Sequence, residues 1–132
     1  MNTFLWLVQA ILALEEIAGG AYKIFNFNEM VLPAANMMSR AAWGAVGVFE
    51  IVCGLLLIVP AATKRMPGLT PLAAIAIVVE SLGLAALYAR YSTAMVAANP
   101  LVYVLVAAVL AAFIAYGRSA LRPIPERTTI AA

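Results

Sequence analysis

Four apolar stretches, each about as long as a lipid bilayer is thick, dominate this chain. A membrane helix needs about 20 residues at 1.5 Å each. The stretches run from about Phe4 to Phe25, Arg40 to Ala61, Thr70 to Tyr91 and Pro100 to Gly117. Backbone amides in hydrocarbon must bond within their own segment, so runs of this length are expected to be helices. The expected fold is all-α, a transmembrane four-helix bundle over residues 1–117, followed by a cytoplasmic C-terminal tail over 118–132. Composition agrees: 66% of the 132 residues are hydrophobic and 11% charged, with a mean hydropathy of +1.03. Soluble domains run nearer half apolar and a quarter charged. The expectation is therefore a multi-pass integral membrane protein whose first partner is the lipid bilayer.

Punctuation residues mark the limits of the spans. Pro60 and the pair Pro67-Gly68 bracket a short turn, and Pro71 suits the first turn of the third helix, where its missing N–H costs little. Asn99-Pro100 reads as an N-cap followed by proline at the first helical position. The first stretch lacks the basic start of a secretion signal, and Glu15-Glu16 interrupts its apolar run, so it reads as a retained helix. Lys64 and Arg65 lie between spans two and three, and Arg118, Arg122 and Arg127 follow span four. Lys23, Arg40 and Arg90 fall on the opposite side. Five basic residues against three favour both termini in the cytoplasm. The tail, with two prolines and polar residues, is expected to be mobile. The connection Asn26–Ser39 mixes Phe27, Met30, Val31, Leu32, Met37 and Met38 with asparagines, and reads as an ordinary interfacial loop or as a cap on the bundle mouth.

Within three of the spans lies a glutamate. A carboxylate at bilayer mid-depth costs on the order of 2.5–3.5 kcal/mol. Counting at the helical rise, Glu16 lies roughly 18 Å from Phe4, Glu50 about 16 Å from Ala61 and Glu80 roughly 15 Å from Thr70. All three land near one plane although their helices alternate in direction. They are expected to meet one another, or a wet cavity, rather than lipid. Gln9, Glu16 and Lys23 share one stripe of the first helix, with Gly19 and Gly20 permitting close helix approach. Trp43, Gly47, Glu50 and Gly54 form a stripe on the second. Glu80, Leu84, Leu87 and Tyr91 align on the third, flanked by Tyr88 and Arg90, and the fourth offers Tyr103 and Tyr116 on a packing helix. Glu15, about 100° round from Glu16, is expected to reach a neighbouring helix or a second protomer.

Anions side by side in a dry site are untenable, so at least one glutamate is expected to keep its proton at neutral pH. A proton donor beside a carboxylate is what general acid–base chemistry needs. Glu16, Glu50 and Glu80 are thus the candidate catalytic residues. Lys23, Tyr88, Arg90, Tyr91, Trp43 and Tyr22 are the candidates to orient a substrate. Other classes recede. Histidine and aspartate are absent, and Cys53 stands alone, so no disulfide, CxxC pair, zinc cluster or activated-nucleophile dyad can be drawn; Cys53 reads as a small apolar filler. No metal or cofactor is expected. No basic run tracks nucleic acid.

The order of several short motifs resembles the DoxX-like family of small four-helix membrane proteins, from roughly Phe4 to Gly117. Leu5-Trp6, Leu12-Ala13-Leu14, Gly20 and Lys23 look like its first helix. Gly47-Val48-Phe49-Glu50 followed by Gly54 to Ala61 is similar to its second. Leu69 to Ala74 matches the start of its third, and Ala115-Tyr116-Gly117-Arg118 looks like its terminal signature. The resemblance implies a four-helix membrane bundle with Lys23 and Glu50 as typical polar positions, and a bacterial inner membrane. Some relatives are accessory subunits of membrane oxidoreductase systems, including quinone-linked ones. This chain departs from the pattern at Tyr88, where many members carry histidine, and at Glu16 and Glu80, where apolar residues are usual.

Two leading functions follow. One is an intramembrane acid–base enzyme performing isomerisation, hydration, hydrolysis or cyclisation on a small lipophilic ligand such as an alkene, an epoxide or a sterol-like compound. The other is a non-enzymatic accessory or scaffold subunit of a membrane oxidoreductase complex, in which the polar cluster sets helix register. A proton-coupled carrier is a third. Glycine-rich faces and small size make a homo-oligomer the expected assembly.

Overall fold

A computed structural model of the chain describes residues 1–30, 35–96 and 98–127. Those residues form four long helices: α1 (Asn2–Phe25), α2 (Arg40–Thr63), α3 (Leu69–Ala89) and α4 (Pro100–Tyr116), which runs on through one wide turn to Leu121. All four are long and apolar enough to cross a membrane. No strand occurs among the described residues. Their outer faces carry large bare side chains, among them Leu14, Val79 and Val109. Such contiguous apolar surface is stable in lipid and not in water.

Two helix starts are capped by side chains, the expected one at Asn99 and another at Ser39. The Ser39 hydroxyl accepts from the Ala42 N–H at 3.1 Å, and the Asn99 side-chain carbonyl accepts from the Leu101 N–H at 3.1 Å, with Pro100 in the first turn. Pro60 does not end its helix as expected. It sits buried inside α2, which continues to Thr63 and stops with Lys64 in the left-handed conformation, φ 56°. A proline in a helix interior strands the carbonyl four residues earlier. Here that carbonyl, of Leu56, accepts from the Thr70 hydroxyl at 3.3 Å, and the next one, of Leu57, accepts from Gln9 Nε2 at 2.8 Å. Side chains from α3 and α1 therefore serve the region where the helix ladder is broken, which is how the proline is tolerated.

The helices pair as α1 with α2 and α3 with α4, with α2 joining the pairs. The α1–α2 pair is close because glycines face each other. A methyl group at Gly47 would lie 2.6 Å from the Gly20 carbonyl oxygen, and one at Gly54 would lie 3.0 Å from the Ala13 carbonyl. Small residues at such crossings let backbones approach where no hydrophobic force drives helices together. By contrast, α1 and α4 meet at one end only. Phe4 packs edge-on to Phe113 at 5.7 Å, and Arg118 bonds Gln9 and Asn2. This end, the turn end, also holds the α2–α3 turn. Toward the opposite, loop end the same two helices part.

The connections settle one open alternative and correct one expectation. Of the two readings of the loop after α1, the packing favours the cap. Phe27, Met30, Met37 and Met38 pack against buried Trp43, Leu84, Tyr88 and Leu101; Val31 and Leu32 lie outside the described residues. The tail is tied down in its first part. Arg118 is 3% exposed, and the Arg127 N–H bonds the Lys64 carbonyl at 2.8 Å, so residues 122–127 run back across the turn end. Residues 128–132 of the tail lie outside the described residues.

Candidate functional site

Where α1 and α4 part, a cavity of about 530 Å³ opens toward the loop end. Its walls come from all four helices. On α1, Glu16 lies one turn from the glycine crossing and faces inward, 5% exposed. On α2, Glu50 sits between Gly47 and Gly54, so the close crossing delivers its carboxyl against α1. On α3, Glu80 is half-buried and projects from the edge of the core face. One carboxyl oxygen from each of Glu16, Glu50 and Glu80 lies within 4.8 Å of the others. Lys23, two turns beyond Glu16 on the same stripe, donates to both Glu50 oxygens at 2.6 and 2.9 Å. Gly19 lies beside this pair, where a methyl group would rest in ordinary contact, 3.7 Å from Lys23 Nζ.

The three carboxyl groups are not equivalent. Glu50 has a cation bridging both its oxygens. Glu16 Oε2 and Glu80 Oε1 are buried and meet no hydrogen-bond partner among the described residues. A buried polar atom without a partner is costly, of order 1–3 kcal/mol, and is a place where a ligand, a proton or water is accommodated. Three oxygens from three helices could also bind a cation by geometry; with no histidine or cysteine in the set, such a site would suit a hard ion. Lys23, however, already occupies Glu50 as its counter-ion, and an ammonium beside the cluster opposes a second cation.

The substrate-orienting candidates divide. Tyr22 and Tyr88 line the cavity, Tyr22 donating its hydroxyl to the Glu29 carbonyl at 3.1 Å. Trp43 does not line it. It is fully buried behind Tyr88, the two rings 6.3 Å apart and nearly parallel at 17°, and it backs the tyrosine. Arg90 and Tyr91 are exposed beyond the end of α3, outside the cavity. The reason is a rotation. The buried stripe of α3 runs through Ile77, Ser81, Leu84, Ala85 and Tyr88, centred roughly 80° round from Glu80 at 100° per residue. A stripe drawn through Glu80 itself leads outward to Tyr91.

Sequence reasoning also misses several wall residues. Glu15 is exposed yet lines the cavity beside Glu16. The 100° between them does not separate them, because the gap between α1 and α4 is wide enough to take in both. Ser81, 1% exposed, was hidden in a span that is apolar all round. Pro100, Tyr103, Val104 and Ala107 make the α4 wall, so that helix does more than pack. Gln9, on the stripe of Glu16 and Lys23, turns away from the acids to Leu57 and Arg118. No signal in the sequence separates it from the site. Cys53 is a buried free thiol on the core side of α2.

No family model, curated protein or solved structure matches this chain.

Proposed function

We propose that the protein is an intramembrane acid–base enzyme acting on a small lipophilic substrate. The observation that carries this reading is the placement of three carboxyl groups, within 4.8 Å of one another, on the wall of a cavity that opens between α1 and α4. Exposed Tyr22 and Tyr103 border that gap on its two sides, so a hydrocarbon could reach the acids sideways from the bilayer without crossing water. About 530 Å³ falls within the usual range of small-molecule sites, roughly 300–1,000 Å³.

The roles follow from the partners. Glu50, chelated by Lys23, is the fixed carboxylate and stabilises positive charge as it develops on a substrate carbon. Glu16 and Glu80 each keep an oxygen without a partner and exchange the proton. For an epoxide, one of them delivers its proton to the ring oxygen as a C–O bond breaks. The other takes a proton from the water that adds to the carbon, and the sum is epoxide plus water to diol. The same pair isomerises an alkene by protonating one carbon and removing a proton from another. Tyr88, held by Trp43, orients the oxygen function.

The test uses purified protein in nanodiscs with a panel of epoxides and alkenes of about ten carbons, in heavy-oxygen water, with products read by mass spectrometry. Glu16→Gln and Glu80→Gln should keep the wild-type melting temperature while turnover falls by about 10²-fold or more, the usual worth of a general acid or base. Turnover that survives both changes would remove the proposal.

A second reading has one observation in its favour. Glu80 also borders a shallow apolar groove on the outer face, between α2 and α3, with Ala45, Phe49 and Val79. A carboxyl beside an outward groove suits an accessory subunit of the kind found among DoxX-like proteins, or a second copy of this chain. In that case the glutamine variants change assembly on a sizing column and leave no catalytic deficit. A bacterial inner membrane, with both termini cytoplasmic, is the proposed location for either reading.

A further inference from the structure

At the turn end, away from the acidic cavity, lies a second cleft of about 340 Å³. Its floor is the bundle end, with Trp6 of α1 and Ala61 of α2, and its outer wall is the returning tail at Pro123 and Ile124. Three cations line it: Lys64, Arg118 and Arg122. Among the described residues no acidic side chain does.

Arg118 is the informative one. It is 3% exposed, and its partners among the described residues are all neutral: Nε donates to the Gln9 side-chain carbonyl, and Nη1 to Asn2 Oδ1 at 2.8 Å and to the Arg122 carbonyl at 3.4 Å. The guanidinium lies over the Trp6 ring at 5.2 Å. Nη2 has no partner. Among the described residues Lys23 and Glu50 form the ion pair, and no carboxylate oxygen lies within 4.0 Å of the Arg118 guanidinium. A buried charge is ordinarily matched by an opposite one. The Lys64 backbone, in its left-handed cap, brings a second cation to the same rim, and the tail is held there by the Arg127–Lys64 bond. Residues 128–132 carry no acidic side chain.

We infer that this cleft is a binding site for a phosphoryl group, with Arg118 as its buried anchor and Lys64 and Arg122 as its rim. A guanidinium presents paired N–H donors to phosphate oxygens, and an ammonium adds a point charge. The group belongs either to a phospholipid headgroup or to free phosphate. The cleft lies at the ends of apolar spans, the depth at which headgroups sit. This site is independent of the acidic cavity and of what that cavity does.

The experiment uses the full chain, delipidated in detergent, and reads binding by native mass spectrometry and by thermal shift. The probes are phosphatidylglycerol, diacylglycerol of the same acyl chains, and inorganic phosphate. Phosphatidylglycerol should bind at least tenfold more tightly than diacylglycerol, and Lys64→Gln/Arg122→Gln should erase that difference. Both positions are exposed, so folding should survive. Arg65→Gln, which removes a neighbouring cation outside the cleft, should leave it intact. If inorganic phosphate binds and competes with the lipid, and the double variant loses both, the site stands with free phosphate as a ligand. If phosphate neither binds nor competes, the site stands with the lipid as its ligand. Equal binding of phosphatidylglycerol and diacylglycerol, an unaltered double variant, or an equal loss in Arg65→Gln would each overturn the inference.

Discussion

Lys23 and Glu50 show how one residue sets the character of the interior. Their side chains are 13% and 8% exposed and bonded at two points. Removing one partner of a buried pair leaves the other charge uncompensated, at a cost of roughly 3–5 kcal/mol, whereas replacing both with apolar groups of similar size is often neutral. Lys23→Met is therefore expected to lower the melting temperature sharply, and Lys23→Met/Glu50→Leu to recover most of the loss, as thermal unfolding in detergent would record. An equal loss in both would mean that the pair contributes through packing and not through charge. The positions of these two residues near α1 and α2 glycines were legible in the chain. That Lys23 reaches Glu50, and not Glu16 on its own helix, was not, because i to i+7 on one helix is about 10 Å of rise and the crossing helix is nearer.

At the scale of the helix, glycine position decides which pairs are tight. Gly20 and Gly47 face each other with no room for a methyl group, while at Gly83 a methyl group would meet nothing within 4 Å. Gly47→Ala should thus push α1 from α2, loosen the Lys23–Glu50 contact and destabilise the bundle. Gly83→Ala should be neutral or stabilising by up to about 1 kcal/mol, the helix preference of alanine over glycine. The comparison is a pair of melting curves, and a matching drop in the two would contradict the crossing. Helix existence, and the start at Asn99, were readable because apolar length and capping chemistry are local. The rotation of α3 was not. That span is apolar all round, so hydrophobic patterning carries no facing information, and a stripe built on Glu80 pointed to Tyr91 and Arg90 in place of Ser81 and Tyr88. Pro60 misled for a related reason: its stranded carbonyl is rescued by Thr70, which lies on another helix.

For the whole molecule, the decisive feature is asymmetry between the ends. Phe4–Phe113 and the Arg118 bonds close α1 onto α4 at the turn end, and at the loop end the same helices stand apart around the acids. If that gap admits the ligand, narrowing it should impair access without touching a carboxyl. Val104→Trp, on the α4 wall and only partly buried, is expected to raise KM or abolish binding of a lipophilic probe by about tenfold, with melting temperature and the Lys23–Glu50 pair unchanged. Unaltered binding in this variant would place the access route elsewhere.

By itself the sequence determined that four apolar helices form and that three of them carry a glutamate near one depth. Those properties depend on backbone hydrogen bonding and on rise per residue, which are the same in every helix. Tertiary structure decided the rest: which faces meet, that α1 and α4 diverge, that Glu50 takes Lys23, and that Glu16 and Glu80 each keep an oxygen without a partner. Rotation and splay depend on contacts between segments far apart in the chain, and a uniformly greasy helix gives no local sign of the side on which those contacts will fall.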